Sequence, residues 1–191
     1  MNTNKNDLPL AISSDGKMLL VSSDEKKGDI NFTQLKGKTW SQSAPLPGLV
    51  NSKSWEGHGS LSMDGKTLYF SSNRPGGNGG KDLYSATLGA NGLWGSVKNL
   101  GETINSKYDE NTPFIHASGD ILFFSSTGHT SIGGYDIFCS EKKDGQWTKP
   151  KNLGMGINSS NDDMYYVVSA DGKSGYFSAT RKGGQGGDDI Y

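Results

Sequence analysis

The sequence is poor in the features that mark most specialised protein classes. It has one cysteine, Cys139, so no intrachain disulfide can form. Cys139 lies in the apolar run YDIFCS and reads as a small packing residue. Neither sign of charge is in excess: Lys plus Arg is 19, Asp plus Glu is 20, and the net charge is −1. No face can then be strongly basic overall, which excludes nucleic acid as a natural partner. No run approaches the roughly 18 apolar residues of a membrane span, so no insertion into a membrane is expected. The N-terminal MNTNKNDLPL has neither a basic start nor a long apolar stretch, so it is not a signal peptide. On that reading the chain is cytoplasmic, or an exported protein written without its leader. Sustained helical periodicity is also missing.

Glycine, in contrast, is abundant at 28 of 191 residues, about twice the usual share of roughly 7%. Much of it is clustered, as tight turns require. Hydrophobic content is 32%, with 10% aromatic. Aromatic and β-branched residues between frequent turns point to strands.

Four features recur in register, and such repetition outranks any local signal. A turn glycine recurs as Gly16, Gly65, Gly119 and Gly172, at intervals of 49, 54 and 53. An aspartate before an apolar pair recurs as Asp29, Asp82, Asp136 and Asp189, at 53, 54 and 53. Trp40, Trp94 and Trp147 are spaced by 54 and 53, as are Asn51, Asn105 and Asn158, each followed by Ser. The one large slip is in the first repeat, where 13 residues separate glycine from aspartate instead of 17. Each repeat reads as four short strands. In the second, GSLSM and KTLYFSS flank an Asp-Gly turn, taken as a primed hairpin turn because glycine supplies positive φ. The loop NRPGGNGG, the strand KDLYSATL and the strand LWGSVKNL follow. A unit of about 50 residues with four antiparallel strands is a propeller blade. The chain is therefore expected to be all-β: one β-propeller domain, 1–191, of about four blades, with repeats 7–55, 56–109, 110–162 and 163–191. The fourth repeat stops after its third strand. Either Met1–Asn6 supplies the missing strand and closes the ring, or the chain is an arc of a larger propeller, open to self-association through its last blade.

The residues DGKTLYFSSNR, GGKDLY and LWGSVKNLGETINSKYDEN resemble the WD40-like propeller repeats of the TolB type. They are most similar to the variant found in cell-envelope proteins of Bacteroidota-type bacteria, beside tetratricopeptide and OmpA-like domains. The resemblance covers nearly the whole chain. It implies a β-propeller with a non-catalytic scaffolding or binding role, engaging a protein or glycan partner, and a periplasmic or envelope-associated location. No helical repeat array and no OmpA-like segment occurs here, so direct peptidoglycan binding is not implied.

Blade topology places the Gly-rich loops and the inter-blade segments such as INSKYDEN on one face, opposite the Asp-Gly turns. Loops at one end of a rigid scaffold commonly carry function. Nine residues before each turn glycine stands an acid: Asp7, Glu56, Glu110 and Asp163. These four are expected at the mouth of the central channel, where like charges would repel unless paired or bound to a cation. A cation or an ammonium-bearing ligand at the mouth is one reading. The other is that each acid pins adjacent blades through hydrogen bonds, with Arg74 and Arg181 as partners. Trp55, Tyr108, Asp109 and Asp162 differ between repeats, and Tyr108 and Asp109 are the better candidates for partner specificity.

Other motifs are weaker. PGGNGGKD fails as a phosphate loop: Pro75 stands at the first glycine position, and Asp82 follows Lys81 where Ser or Thr is needed. GGQGGDDIY matches a calcium-roll nonapeptide in letters, but this chain does not repeat every nine residues. Asp29, Asp82, Asp136 and Asp189 read as acceptors for loop N–H groups, and the three repeated tryptophans as packing. His58, His116 and His129 fall at non-equivalent places, and no His/Cys cluster has zinc spacing. Glu56 and Glu110 on adjacent blades could form a glycosidase-like pair. The same acid in every blade argues against separate acid and base roles, so no catalytic residue and no cofactor are expected.

Overall fold

A computed structural model describes residues 7–23 and 28–191. The chain is an all-β propeller of four antiparallel blades, with no helix among the described residues. Blade one comprises β1 (Asp7–Ile12), β2 (Met18–Ser23), β3 (Ile30–Lys36), β4 (Thr39–Trp40) and β5 (Ala44–Pro45). Blade two holds β6 (Glu56–Leu61), β7 (Thr67–Ser72), β8 (Asp82–Leu88) and β9 (Trp94–Asn99). Blade three holds β10 (Glu110–Ile115), β11 (Ile121–Ser126), β12 (Asp136–Lys143), β13 (Gln146–Trp147) and β14 (Lys151–Asn152). Blade four has β15 (Asp163–Val168), β16 (Gly175–Ala179) and β17 (Asp189–Ile190). The outer strand is continuous only in blade two. In blades one and three it is broken into two short pieces, both paired with the third strand. The strand expected from Met1–Asn6 lies outside the described residues.

The turn glycines are hairpin apices, but the expected primed turn is corrected. Gly65 N–H donates to the Ser62 carbonyl at 2.8 Å, and Ser62 N–H donates to Thr67 at 2.8 Å. Four residues therefore intervene. Gly65 closes the turn with φ +67°, and Asp64 Oδ1 accepts the Lys66 N–H at 3.0 Å. Gly16, Gly119 and Gly172 repeat the arrangement. The two-residue primed turn occurs instead at Asp144–Gly145, with φ +50° and +79°, joining β12 to β13.

The cores lie between blades. Leu20 and Ile30 of blade one pack on Leu68, Phe70 and Trp94 of blade two. Tyr69 and Leu83 of blade two pack on Ile115, Leu122, Phe124 and Phe138 of blade three. Trp94 is buried in the first of these cores, and Trp147 packs edge-on against Tyr69. Trp94 and Trp147 are thus packing residues. Phe123 and Tyr166, 4.9 Å between centroids, join blades three and four.

Candidate functional site: the channel and its loop face

The inter-blade segment INSKYDE is built as a latch. Asn105 accepts the Leu83 N–H at 2.7 Å and donates to the Leu83 carbonyl at 3.0 Å. Its side chain thereby continues the ladder of the preceding blade's third strand. Asn51 does the same to Ile30 and Asn158 to Ile137. The sequence showed only the fixed spacing of these asparagines, and the buried clasp is the reason for it.

The serine after each asparagine grips the acid four residues on. Glu56 accepts from Ser52 N and Ser52 Oγ at 2.7 Å each, from Ser72 Oγ at 2.8 Å and from Arg74 Nη2 at 3.2 Å. Glu110 accepts from Ser106 N at 2.8 Å, Ser106 Oγ at 2.6 Å and Ser126 Oγ at 2.7 Å. Asp163 accepts from Ser159 N at 2.6 Å and Oγ at 2.9 Å, and from Arg181 Nη2 at 3.2 Å. All three side chains are fully buried. The expectation that these acids line the channel surface is therefore corrected: they start the inner strands, but their oxygens turn into the latch, where four or fewer donors hold each carboxylate. Asp7 begins β1 at the matching place, but its side chain lies outside the described residues.

Each latch has a cationic or aromatic lid. Arg74 lies over Phe70 and Tyr84, at 5.1 and 5.0 Å, and donates to the Val50 carbonyl. Arg181 lies over Phe177 and Tyr191, both at 4.8 Å, and donates to the Ile157 carbonyl. Blade three has Gly128 where the arginine would fall. Its neighbour His129 fills the niche instead: beside Phe124 and Phe138, with Nε2 donating to the Ile104 carbonyl at 2.9 Å and 3.9 Å from Glu110. Without a guanidinium, burial pushes the Glu110 carboxyl up to about 6, partly offset by the Ser106 and Ser126 hydrogen bonds. Burial lowers the His129 imidazole, partly offset by its bond to Ile104.

Asp109 and Asp162 fasten the Gly-rich loop of the preceding blade. Asp109 Oδ1 accepts the Lys81 N–H at 2.9 Å, and Asp162 Oδ1 accepts the Tyr135 N–H at 2.8 Å. A methyl group on Gly80 or Gly134 would overlap these carboxylates, which explains the glycine at these two positions of blades two and three. Asp109 also accepts from Tyr135 Oη at 3.2 Å. Asp109 thus has a scaffold task, while Tyr108 beside it is 50% exposed. The second blade departs from this plan. Trp55 replaces the aspartate and lays its ring against Gly57 and Gly28 with Lys81 Nζ 4.8 Å above it.

The channel itself is lined two residues after each acid. Pro9, His58, Thr112 and Tyr165, with their next neighbours, enclose a cavity of about 80 Å³. A register slip interrupts each inner strand here. His58, Thr112 and Tyr165 take φ of +41°, +43° and +57°, a left-handed conformation that costs energy in non-glycine residues. The bulge turns these three side chains inward. His58 packs tilted against Trp55 and edge-on to Tyr165, at 5.5 and 5.3 Å between centroids. Its Nδ1 is buried with no partner among the described residues. Burial, with a smaller contribution from Lys81, lowers its imidazole to about 4, so it is neutral at pH 7. His58, Thr112, Tyr165, Lys81 and Tyr135 were not singled out as site residues from sequence. The available signal was that positions two after a regular acid vary from blade to blade. No group of three or more metal-ligating side chains occurs among the described residues.

The fold and this channel define a four-bladed β-propeller. The structure is similar to TolB from Acinetobacter baumannii, with a TM-score of 0.64 and 19% identity, covering 100% of this chain and 41% of that one. A putative TolB from Agrobacterium tumefaciens gives 0.57 and 19%, covering 80% and 50%. An α-L-arabinofuranosidase from Lactobacillus brevis gives 0.53 and 12%, covering 92% and 68%. The chain thus spans about half or less of the TolB structures. No protein-family model matches the sequence, and no curated protein matches it.

Proposed function

We propose that this chain is a non-catalytic binding and scaffolding propeller of the bacterial cell envelope, holding a protein or glycan partner on its loop face. One observation carries the reading: Glu56, Glu110 and Asp163 are sealed inside latches, whereas residues that differ between blades, His58, Thr112 and Tyr165, line the channel. His58 lies against Trp55 and Tyr165, Lys81 Nζ sits 4.8 Å over the Trp55 ring, and Tyr108 is 50% exposed. Half-exposed aromatics beside a few polar groups suit recognition of a partner surface or a sugar ring. The likeness to TolB structures supports a binding role, and the resemblance of the repeats to envelope proteins supports the location. The rival reading is a carboxylate-dependent glycoside hydrolase or lyase at the mouth, in line with the arabinofuranosidase of the same fold. It requires Glu56 and Glu110 to meet substrate, and both are buried.

Arrays of envelope-derived peptides and glycans, probed with the intact chain, test the proposal. Binding to a hit should fall about tenfold or more in Tyr108→Ala and Lys81→Ala, the size of a typical interface hot spot. It should persist in Lys17→Ala at the opposite, Asp-Gly end. Turnover of a bound glycan that disappears in Glu110→Gln would overturn the non-catalytic reading.

A further inference from the structure

The composition of the channel cavity restricts what can enter it. Its walls come from all four blades and contain no Asp, Glu, Lys or Arg. His58, the one lining group that could carry a charge near neutral pH, is held neutral by burial. An ion entering the cavity would lose its water and meet no counter-charge. The site therefore suits an uncharged group. A volume of about 80 Å³ admits a few heavy atoms and not a whole sugar ring. Pro9, Pro113, Phe114 and Val167 supply an apolar wall. The polar atoms are few, and the protein does not use all their capacity. Ser60 Oγ accepts the Ile115 N–H at 3.1 Å, which leaves its own O–H to donate. Thr112 Oγ1 donates to Ser125 at 2.8 Å and accepts the Tyr165 N–H at 3.5 Å, so one lone pair remains. His58 Nδ1 has no partner among the described residues. Left-handed backbone brings Thr112 and His58 to this wall, and strain of that kind clusters at ligand sites.

We propose that the cavity receives the acetamido group of an N-acetylated sugar. This rests on the glycan-binding reading of the loop face and narrows it to one chemical class. The amide is uncharged and has both polar functions that the wall can match. Its carbonyl takes the Ser60 hydroxyl proton, its N–H goes to Thr112 Oγ1 or to the His58 ring, and its methyl lies on the apolar wall. The sugar ring stays outside the cavity and rests on aromatic surface, as pyranose rings do. Tyr165, 40% exposed, and Trp55, which adjoins His58, supply that surface. A protein side-chain amide offers the same polar atoms without a ring to cover these aromatics.

The test is titration of the intact chain with N-acetylglucosamine, followed by NMR of the His58 ring nitrogens and the Thr112 methyl group. Saturable one-to-one binding should shift both signals. Glucose lacks the amide, glucosamine carries an ammonium, and acetamide lacks the ring. Each should bind at least about tenfold more weakly. His58→Phe keeps a ring but removes its nitrogens and should weaken binding about tenfold. Val167→Phe fills the cavity from a position 41% exposed. It should abolish binding while the unfolding temperature stays close to wild type. Binding that leaves the His58 and Thr112 signals unmoved, or that survives Val167→Phe, places the sugar elsewhere. That result overturns the proposal and leaves the glycan reading standing. Acetamide that binds as tightly as the sugar overturns it too, and assigns the cavity to a protein amide. No binding of N-acetylglucosamine at tens of millimolar overturns the cavity assignment. The broader glycan reading falls with it only if the glycan arrays give no hit.

Discussion

Blades two and three contain the same latch with different lids. Both bury a glutamate, both hold it with a serine N–H and two hydroxyls, and both roof the niche with two aromatic rings. Blade two completes it with Arg74, and blade three with His129. An arginine is charged at any physiological pH and satisfies two acceptors at once, here Glu56 and the Val50 carbonyl. A neutral histidine keeps the carbonyl bond, to Ile104, but gives the carboxylate no full charge. The difference teaches that one cradle of serines and backbone accepts two kinds of lid, one that brings a full positive charge to the carboxylate and one that does not. Blade four, with Arg181, follows blade two, so blade three is the exception.

The largest expected effect breaks the blade-two lid. Arg74→Ala leaves Glu56 buried with an uncompensated charge, which costs about 3–5 kcal/mol. His129→Ala removes mostly packing between Phe124 and Phe138 and costs about 1–2 kcal/mol. Urea denaturation at pH 7 measures both. Equal losses would mean that the arginine does not carry the charge balance of its blade.

The channel bulge gives a second contrast, since blade two places His58 where blade three places Thr112. The His58 imidazole is lowered to about 4 from an ordinary 6.5. A lowered histidine contributes stability that is present above 6.5 and lost as pH falls toward 4, because the unfolded chain takes up the proton first. At 1.36 kcal/mol per unit the loss reaches about 3 kcal/mol. His58→Thr should flatten the acid limb of a stability–pH curve between those values. A limb of unchanged slope would place the acid sensitivity elsewhere.

A smaller effect tests the clasp shared by all three latches. Asn105→Ala strands the buried Leu83 N–H and carbonyl and should cost about 2–3 kcal/mol by denaturant midpoint. Asn51→Ala, where the clasp is only partly buried, should cost less. The reverse order would detach the clasp's worth from its burial.

Much of this architecture is legible in the sequence because a repeat reports one physical requirement several times. The turn glycine, the third-strand aspartate and the acid nine residues before the glycine each mark one place in a blade. What stayed hidden depends on side-chain direction. Glu110 reads as a rim residue from topology, yet its hydroxyl donors, Ser106 and Ser126, come from two separate segments and turn it inward. His129 is out of register with Arg74 by one residue, and only its φ of +52° brings the ring into the arginine's niche. The inward turn of His58, Thr112 and Tyr165 follows from a bulge, which shifts the alternation that strand periodicity relies on.

The smallest expected effect converts one blade into the other. Glu110 is raised to about 6 from 4.5. A raised carboxyl contributes stability that is present below 4.5 and lost as pH rises through about 6, since the folded chain holds the proton more tightly. The lowered His129 acts in the opposite sense, with stability present above 6.5 and lost on acidification. His129→Arg removes both terms at once. The guanidinium should draw the Glu110 midpoint well below 6, as read by carboxyl carbon chemical shifts in NMR titration. It should also raise stability at pH 7 by about 1 kcal/mol, the energy of somewhat less than one pKa unit. The two readouts are tied by linkage, so a lowered midpoint without added stability would mean that arginine strains the left-handed backbone at 129. A midpoint still near 6 would show that burial within the latch, and not the identity of the lid, sets the proton affinity of Glu110.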